Sequence, residues 1–579
     1  MKHVVIIGSG LSGLTCALAL AAKGIRSTLG SPYPSERSQS VMAAGGINAA
    51  IGKNDSPRLH AQDTLISGGD IAGAEAVMAL CSAAPELIRW LESLGVVFSR
   101  DEDGKMILRA LGGQSCNRTA YAGAATGKQI MSALIRVARK YECSDLICRM
   151  LGRQFHSALI RDGKCYGALL YNEQTRKMES VYADAVVIAA GGQNALFGKT
   201  TGSTQCDGYV AAKLYEQGAK LKNLEFIQYH PTTLETPQKR MLISEAARGE
   251  GGRLYYMEND RRVYFMEDLY GERGNLMPRD VVSKCIYSAP SQVYLDIAYL
   301  NKTHIRSRLQ EVAEVCRKYA DLDVTRESIP VYPSVHFFMG GLCVDSHHKT
   351  NIDHLYAIGE CASRYHGANR LGGNSLLAAI YSGKVAANAI DSAPSPDAAP
   401  DFGPYIAQQE KRLEERLASK SRFSAVYIRY ELAKLMKDCL GVVRTEKSWQ
   451  RALKAWTTTY PSARSWCTMR MYLPMWATAC GRCCFWHGRS LPVLWHERNP
   501  AVPTFGRTIP SAAQNIIIVP FAIIKTASIA FPMKRRTNND CQDQAATRPR
   551  LPALLAELCL QRLQACAGVS GSRCAELYR

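Results

Sequence analysis

The chain has 579 residues, of which 47% are hydrophobic, so it is long enough for two or three domains and apolar enough to bury a core. Its formal net charge is +20, but residues 461–579 hold 15 Lys and Arg against 5 Asp and Glu, a net of +10 and half of the excess. The rest of the chain is only mildly basic and its cysteines form no spacing framework, so composition argues against a nucleic-acid-binding protein and against a disulfide scaffold.

The N-terminal residues predict a nucleotide-binding strand, turn and helix. In HVVIIGSGLSGL a short β-branched strand precedes Gly8-x-Gly10-x-x-Gly13, and an Ala/Leu-rich helix follows. Such glycines permit a tight turn and let the backbone approach a pyrophosphate at the helix N-terminus. We therefore expect Gly8, Ser9, Gly10, Ser12 and Gly13 to bind the cofactor.

Further segments favour FAD over a shorter dinucleotide. The second strand, RSTLGSP, ends without the acid that usually binds the ribose hydroxyl, so Ser31 is assigned a weaker hydrogen-bonding role there. Residues 185–197 and 354–363 each bring a buried strand to a Gly-rich tip, and a long cofactor such as FAD uses several tips. Residues 155–192 predict a three-stranded meander inserted in the nucleotide-binding domain.

Five later motifs occur in a fixed order: QYHPTT (228–233), LISEAARGEGG (242–252), LMPRDVVS (276–283), VHFFMGG (335–341) and HGANRLGGNSLL (366–377). With the N-terminus, they resemble the flavoprotein subunit of succinate dehydrogenase and fumarate reductase, and the related L-aspartate oxidases. The resemblance covers about residues 1–460. It implies FAD-dependent interconversion of succinate and fumarate by hydride transfer to or from flavin N5.

The residue types in these motifs suit a C4 dicarboxylate, whose two buried charges need matched donors. Arg370 can bind one carboxylate as a planar fork, while His230, His336 and Ser244 can hold and twist the other. The resemblance implies that Arg279 exchanges the proton and that Glu245 relays it. The predicted catalytic and substrate-binding residues are therefore His230, Leu242, Ser244, Glu245, Arg279, His336 and Arg370.

The resemblance also extends the predicted FAD contacts and exposes one departure. In addition to the N-terminal residues, the predicted FAD-binding residues are Ser38, Gly45, Gly46, Asp207, Glu360, Asn374, Ser375 and Leu376. Respiratory members tether FAD through the His of an R-S-H-T segment, whereas this chain has Gln39 in RSQS. Gln39 lacks a nucleophilic ring nitrogen, so we expect noncovalent FAD.

A second departure concerns the substrate. In ALGGQS (110–115) the aspartate oxidases place a Glu before the Gly pair to bind the substrate amine, and this chain has Leu111. An apolar side chain cannot balance a buried ammonium, which favours succinate or fumarate. Two alternatives stay open at this stage: an L-aspartate oxidase, and a truncated or misread chain without activity.

The predicted fold is α/β, a Rossmann-like FAD domain with an inserted α+β capping domain, followed by a partial helical domain and an anomalous tail. The predicted boundaries are 1–204 and 331–395 for the FAD domain, 205–330 for the capping domain, 400–460 for the helical domain and 461–579 for the tail. The chain has no ferredoxin-type cysteine cluster, so the resemblance implies a separate iron–sulfur subunit. Without a signal-peptide cleavage site, we expect a cytoplasmic protein that meets the membrane only through partners.

The tail suggests a shifted reading frame from about Ser462. The family's R-x-E-S-R-G-x-H stretch is missing, yet one permitted coding of residues 495–510, read from the third base, gives A-R-T-E-S-R-G-A-H. The rival interpretation is a membrane anchor at 516–533, but Pro520 and Lys525 interrupt that run, and a mid-span charge costs roughly 3 kcal/mol. The CGRCC at 480–484 has no second cysteine pair at zinc-finger distance, so no metal site is expected. Resequencing the gene around the Ser462 codon decides between the frames.

Overall fold

The computed structural model describes residues 1–123, 125–418, 424–448, 450–451 and 454, and the backbone of 516–517, all within one compact unit. The frameshift hypothesis, the alternative anchor and the CGRCC stretch therefore fall outside the described residues, apart from 516–517.

The strands are β1 (His3–Ile7), β2 (Arg26–Ser31), β3 (Ile47–Asn48), β4 (Leu108–Arg109), β5 (Thr119–Ala120), β6 (Ile147–Leu151), β7 (Arg153–Arg161), β8 (Lys164–Asn172), β9 (Lys177–Tyr182), β10 (Ala185–Ile188), β11 (Leu221–Lys222), β12 (Ile227–Glu235), β13 (Arg240–Leu242), β14 (Arg253–Glu258), β15 (Arg261–Val263), β16 (Val293–Asp296), β17 (Ile329–Pro330), β18 (Tyr332–Phe338), β19 (Gly341–Cys343), β20 (Leu355–Ala357), β21 (Ala362–Ser363) and β22 (Ile516–Ile517). The helices are α1 (Leu11–Ala21), α2 (Pro57–Ser67), α3 (Ala74–Ser93), α4 (Thr126–Glu142), α5 (Tyr209–Glu216), α6 (Ala246–Gly249), α7 (Phe265–Tyr270), α8 (Arg279–Tyr287), α9 (Lys302–Arg308), α10 (Gln310–Ala320), α11 (Asn374–Ser392), α12 (Gly403–Ala418) and α13 (Ala425–Cys439).

A five-stranded parallel sheet forms the centre of the fold, in the order β20-β10-β1-β2-β6. Of its inner strands, β1 and β10 are almost wholly apolar because both faces of the sheet are covered. The two Gly-rich tips predicted at 185–197 and 354–363 follow β10 and β20, so they meet the first glycine turn at one edge. The α/β fold class and the three-stranded meander, formed by β7, β8 and β9, are confirmed.

Two apolar clusters cover the central sheet. Val4 and Ile6 of β1 pack with α1, α3, α4 and α11. Val5 and Ile7 project to the other face, where they pack with the meander, α5 and α13. The alternation along β1 follows from the two-residue period of a strand.

A third apolar cluster belongs to the capping region, and all its buried members lie between Leu234 and Val331. The antiparallel sheets β13-β12-β18 and β15-β14-β16-β17 surround it. Residues of α5, β11 and the start of β12 pack instead into the second cluster. The boundary at 205 stays a prediction, since the separate capping core begins about thirty residues later.

The predicted helical domain is represented by α12 and α13. The end of α13 is fixed to the start of β12, because the Tyr229 hydroxyl donates to the Leu440 carbonyl at 2.6 Å. Arg429 donates to the Thr204 carbonyl at 2.9 Å. Among the residues that the structure describes, no helix has the length and hydropathy needed to cross a membrane.

Candidate active site

One cavity of about 600 Å³ runs from the glycine turn after β1 to a group of charged side chains from the capping region. The backbone is tightly packed at the end of the cavity beside the glycine turn. Gly8 has φ +112°, and a Cβ there would lie 2.3 Å from the Ala189 carbonyl oxygen. A Cβ on Gly13 would lie 2.1 Å from the Gly8 carbonyl oxygen, so α1 approaches the turn only because both residues lack side chains. This bare backbone beside the N-terminus of α1 fits the pyrophosphate of FAD.

Most residues predicted to bind FAD line this cavity. They are Gly8, Ser9, Gly10, Ser12, Ser31, Ser38, Gly45, Gly46, Asp207, Glu360, Ser375 and Leu376. Gly13 and Asn374 do not line it. Gly13 packs α1 against the turn. The Asn374 side chain donates to the Thr64 hydroxyl at 2.9 Å and accepts from the Asn48 amide at 2.8 Å, in a buried polar network.

Glu360 is the buried acid of the FAD end. Its carboxyl accepts from the Phe338 N–H at 3.1 Å, and burial raises its pKa to about 7. A protonated carboxyl can donate a hydrogen bond to a ligand oxygen. Glu360 therefore fits a hydroxyl-bearing cofactor.

Glu245 lies between two arginines at the other end of the cavity. Its Oε2 accepts from Arg279 Nη2 at 2.7 Å and from Nε at 3.1 Å, and its Oε1 accepts from Arg248 Nη2 at 2.8 Å. Burial alone would raise the pKa of Glu245, but Arg279 and Arg248 lower it to about 2. Glu245 is therefore an ionised bridge between two guanidinium groups.

Arg279 is the first residue of α8, and residues of two other segments hold its side chain. Besides Glu245, the Gln228 amide oxygen of β12 accepts from Arg279 Nη1 at 3.0 Å. Gln228 donates in turn to Asn369 and to the Arg370 carbonyl. Asp280, the next residue in the chain, accepts from Asn369 at 2.9 Å. The guanidinium of Arg279 therefore binds Glu245 and Gln228 in the cavity and forms no ion pair with the neighbouring Asp280.

His230 and His336 meet in this cavity with ring centroids 5.1 Å apart. Burial, with the charge of Arg279, lowers the pKa of both imidazoles well below 6.5, so both are neutral. The Thr201 hydroxyl donates to the Val335 carbonyl at 3.2 Å and lies 2.8 Å from Nδ1 of His336. In that arrangement Nδ1–H of His336 donates to the hydroxyl; when the hydroxyl instead donates its one proton to Nδ1, the proton of His336 is on Nε2, where it can reach a ligand oxygen.

Arg370 completes the cavity. Its guanidinium lies 4.3 Å above the Phe337 ring, it is 2% exposed, and its Nε has no hydrogen-bond partner among the described residues. Leu242 and Ser244 also line the cavity. The structure therefore brings together every residue predicted for catalysis and substrate binding.

The charges of this group do not cancel. Arg248, Arg279 and Arg370 supply three positive charges, Glu245 supplies one negative charge, and the two histidines are neutral, which leaves +2 when Glu360 and Glu311 on the same cavity are protonated. All four charged side chains are at most 6% exposed. A buried excess of this size calls for an anionic ligand, because unpaired buried charge is unfavourable.

Sequence reasoning missed three residues of this group: Thr201, Gln228 and Arg248. Arg248 lies in the RGEGG motif, three residues after Glu245, and this (i, i+3) spacing on a helical turn could have indicated the ion pair. Gln228 lies two residues before His230 in the QYHPTT motif. No local signal singled out Thr201, since its partner is 135 residues away.

Comparison with known proteins identifies the family. The profile of the FAD binding domain family matches residues 3–376. The chain belongs to this family. It is 37% identical over 464 residues to the succinate dehydrogenase flavoprotein subunit of Bacillus subtilis, covering 76% of this chain and 79% of that protein.

Two further comparisons extend the likeness. An L-aspartate oxidase of Nostoc sp. is 34% identical over 473 residues, covering 78% of this chain and 80% of that protein. A solved structure of E. coli quinol fumarate reductase, with an E245Q mutation in FrdA, superposes with a TM-score of 0.72 at 29% identity over 78% of this chain and 82% of that one. The predicted resemblance is confirmed, and the protein is an FAD-dependent oxidoreductase of the succinate dehydrogenase and fumarate reductase type.

Proposed function

We propose that this flavoprotein interconverts succinate and fumarate, with Arg279 exchanging the proton and a separate iron–sulfur partner exchanging the electrons. The observation that carries the proposal is the buried +2 charge of Arg248, Arg279, Arg370 and Glu245. The dianion of a C4 dicarboxylate would neutralise it. Neutral imidazoles beside it can donate hydrogen bonds without adding charge.

The side chains divide into two binding groups. Arg370, which lies over the Phe337 ring, binds one carboxylate as a fork. His336, His230 and Ser244 bind the other and twist it out of conjugation with the double bond. FAD, when bound, supplies hydride exchange with the substrate carbon.

Arg279 is the proton donor for fumarate reduction and the acceptor for succinate oxidation. Its guanidinium is fixed by Glu245 and Gln228, so it meets the substrate in one orientation. Arg248 continues the chain on the far side of Glu245, at 2.8 Å. A proton lost from Arg279 is replaced through Glu245 from Arg248.

Leu111 favours a dicarboxylate without an amine over aspartate. Its side chain is 1% exposed and lines the cavity. An ammonium beside it would be buried without a counter-charge at that position. L-Aspartate oxidase remains the alternative because such enzymes are among the relatives, and aspartate with oxygen is the assay that tests it.

The FAD is proposed to be noncovalent. Gln39 lies at the cavity, where the respiratory relatives' tethering residue is expected, and its amide cannot form the bond. Acid precipitation of the holoprotein should leave all yellow colour in the supernatant. Flavin fluorescence on the protein band of a denaturing gel would contradict this.

The partner is proposed from the helical region and from the relatives. The Bacillus subtilis relative is itself a subunit. Among the described residues, no group of His, Cys, Asp and Glu could hold a metal. We propose that α12 and α13 form part of the surface that an iron–sulfur subunit contacts, at the inner face of the membrane.

The decisive experiment measures fumarate reduction with a reduced dye, using purified holoprotein with a flavin absorbance spectrum. We expect turnover of fumarate and no peroxide from aspartate and oxygen. Peroxide formation from aspartate would replace the proposal with the alternative. A protein that binds no flavin would be the inactive, misread product.

A further inference from the structure

A second cavity of about 290 Å³ adjoins the active site. Residues from two regions line it: Ser99, Arg109 and Tyr121 on the FAD side, and Ser307, Arg308 and the start of α10 on the capping side. Ser244 and Glu311 line both this cavity and the larger one. The second cavity therefore adjoins the substrate-binding group at Ser244.

The charges that line the second cavity have a positive excess. Arg109 is buried and lies 4.0 Å above the Tyr121 ring, and Arg308 donates to the Tyr121 hydroxyl at 2.8 Å. Glu311 is the opposing acid. It makes no hydrogen bond or ion pair within the part of the chain that the structure describes, and burial raises its pKa to about 7.

The expected position of FAD makes a separate approach to the active site necessary. With FAD in the glycine-lined part of the larger cavity, a dicarboxylate needs an approach to Ser244 and Arg279 that does not pass through the cofactor. The second cavity is bordered by Ser244, lies between the FAD and capping regions, and carries guanidinium groups that attract a dianion.

We propose that the second cavity is the access route of the dicarboxylate, with Arg308 and Arg109 attracting it and Glu311 opposing its passage when ionised. This rests on the proposed dicarboxylate function. The residues of the access route contact the substrate only while it enters or leaves. Substituting them should therefore change the association and dissociation rate constants and leave the rate of the chemical step unchanged.

The test follows malonate, a dicarboxylate that cannot be dehydrogenated, by stopped-flow flavin absorbance of the holoprotein. Arg308→Gln should lower the association rate constant about three- to tenfold at low salt, and the difference should shrink as ionic strength rises. Glu311→Gln should raise it above pH 7. Arg306→Gln is the matched control, because Arg306 lies on the same helix, is exposed and does not line the cavity.

A steric variant tests the route without changing charge. Ser307→Trp, at an exposed position on the cavity wall, should slow malonate association and dissociation by the same factor and leave the Kd unchanged. Wild-type rates in both Arg308→Gln and Ser307→Trp would overturn the access route. Absence of any flavin perturbation by malonate in the unaltered protein would instead overturn the dicarboxylate function itself.

Discussion

Arg279 is the residue on which the proposed chemistry depends most directly. Arg279→Gln should lower fumarate turnover below a tenth of wild type while leaving the FAD absorbance intact, because the proton donor is lost and the cofactor end is untouched. Arg279→Lys should be nearly as poor, since a point charge cannot bind Glu245 and Gln228 together.

The control for Arg279 is Arg261→Gln, at an exposed position on β15 of the same capping region. It should turn over fumarate at the wild-type rate. More than a tenth of wild-type turnover in Arg279→Gln would rule out the proton-donor role.

The proposed substrate contact of His336 requires its proton on Nε2, so we predict that the Thr201 hydroxyl donates to Nδ1 and not to the Val335 carbonyl. Thr201→Val removes the hydroxyl 2.8 Å from Nδ1, so Nε2–H is no longer enforced and the KM for fumarate should rise about tenfold, in line with one lost hydrogen bond to a charged ligand. Thr201→Ser keeps the hydroxyl and should stay near wild type.

A merely structural role for Thr201 would not change the tautomer of His336. The imidazole ¹⁵N chemical shifts should therefore show Nε2 protonated in wild type and Thr201→Ser, and a mixture in Thr201→Val. Identical shifts in all three proteins would contradict the prediction. Thr233→Val removes another buried hydroxyl, which donates to Tyr332, and controls for stability.

At the scale of elements, the contact between α1 and the glycine turn determines FAD affinity. Gly13→Ala should weaken FAD binding at least tenfold, measured by flavin fluorescence on dilution, because its Cβ would lie 2.1 Å from the Gly8 carbonyl oxygen. Gly13 does not have a positive φ, so the effect comes from the clash alone.

Gly24, just after α1, provides the matched comparison. It has φ +72° and no atom within 4 Å of its would-be Cβ, so Gly24→Ala adds backbone strain of about 1 kcal/mol without a clash. It should lower stability slightly and keep FAD. Equal loss of FAD in both variants would show that general destabilisation, and not the contact, is responsible.

At the scale of the whole molecule, buried neutral histidines make the fold sensitive to acid. Burial lowers the pKa of His60 and His348 to about 4 and that of His366 to about 3. The unfolded chain takes up these protons near pH 6.5, so the stability they contribute is present above pH 6.5 and is lost as pH falls toward 4. A histidine whose pKa falls to about 4 in the folded protein, such as His348, lowers the free energy of unfolding by about 3 kcal/mol between pH 6.5 and 4.

His348→Asn should therefore make the free energy of unfolding less steep between pH 6.5 and 4, by about one proton. His348 lies within hydrogen-bond distance of the Ala357 carbonyl and the Tyr365 hydroxyl, so the variant also lowers stability at pH 7.5. The exposed His347→Asn is the control. An unchanged pH slope, measured by urea titration, would contradict the prediction.

The residues by themselves determined the parts of this protein that depend on local chemistry. Gly8 and Gly10 in a strand–glycine–helix context predicted the cofactor turn, because only a bare backbone can adopt that turn beside a phosphate. β-branched and apolar runs predicted the buried strands and the meander, because these residue types favour strands. Motif order then predicted His230, Glu245, Arg279, His336 and Arg370 as one site.

Only the tertiary structure decided how those residues act together. Glu245 is ionised because Arg248 and Arg279 meet it in a buried place, and Thr201 lies beside His336 through a contact between residues 135 apart in sequence. Asn374, predicted at the cofactor, lies in a polar network with Asn48 and Thr64 instead. Packing of the capping region on the FAD region creates the second cavity. These properties depend on burial and on distances between remote segments, which no short stretch of sequence encodes.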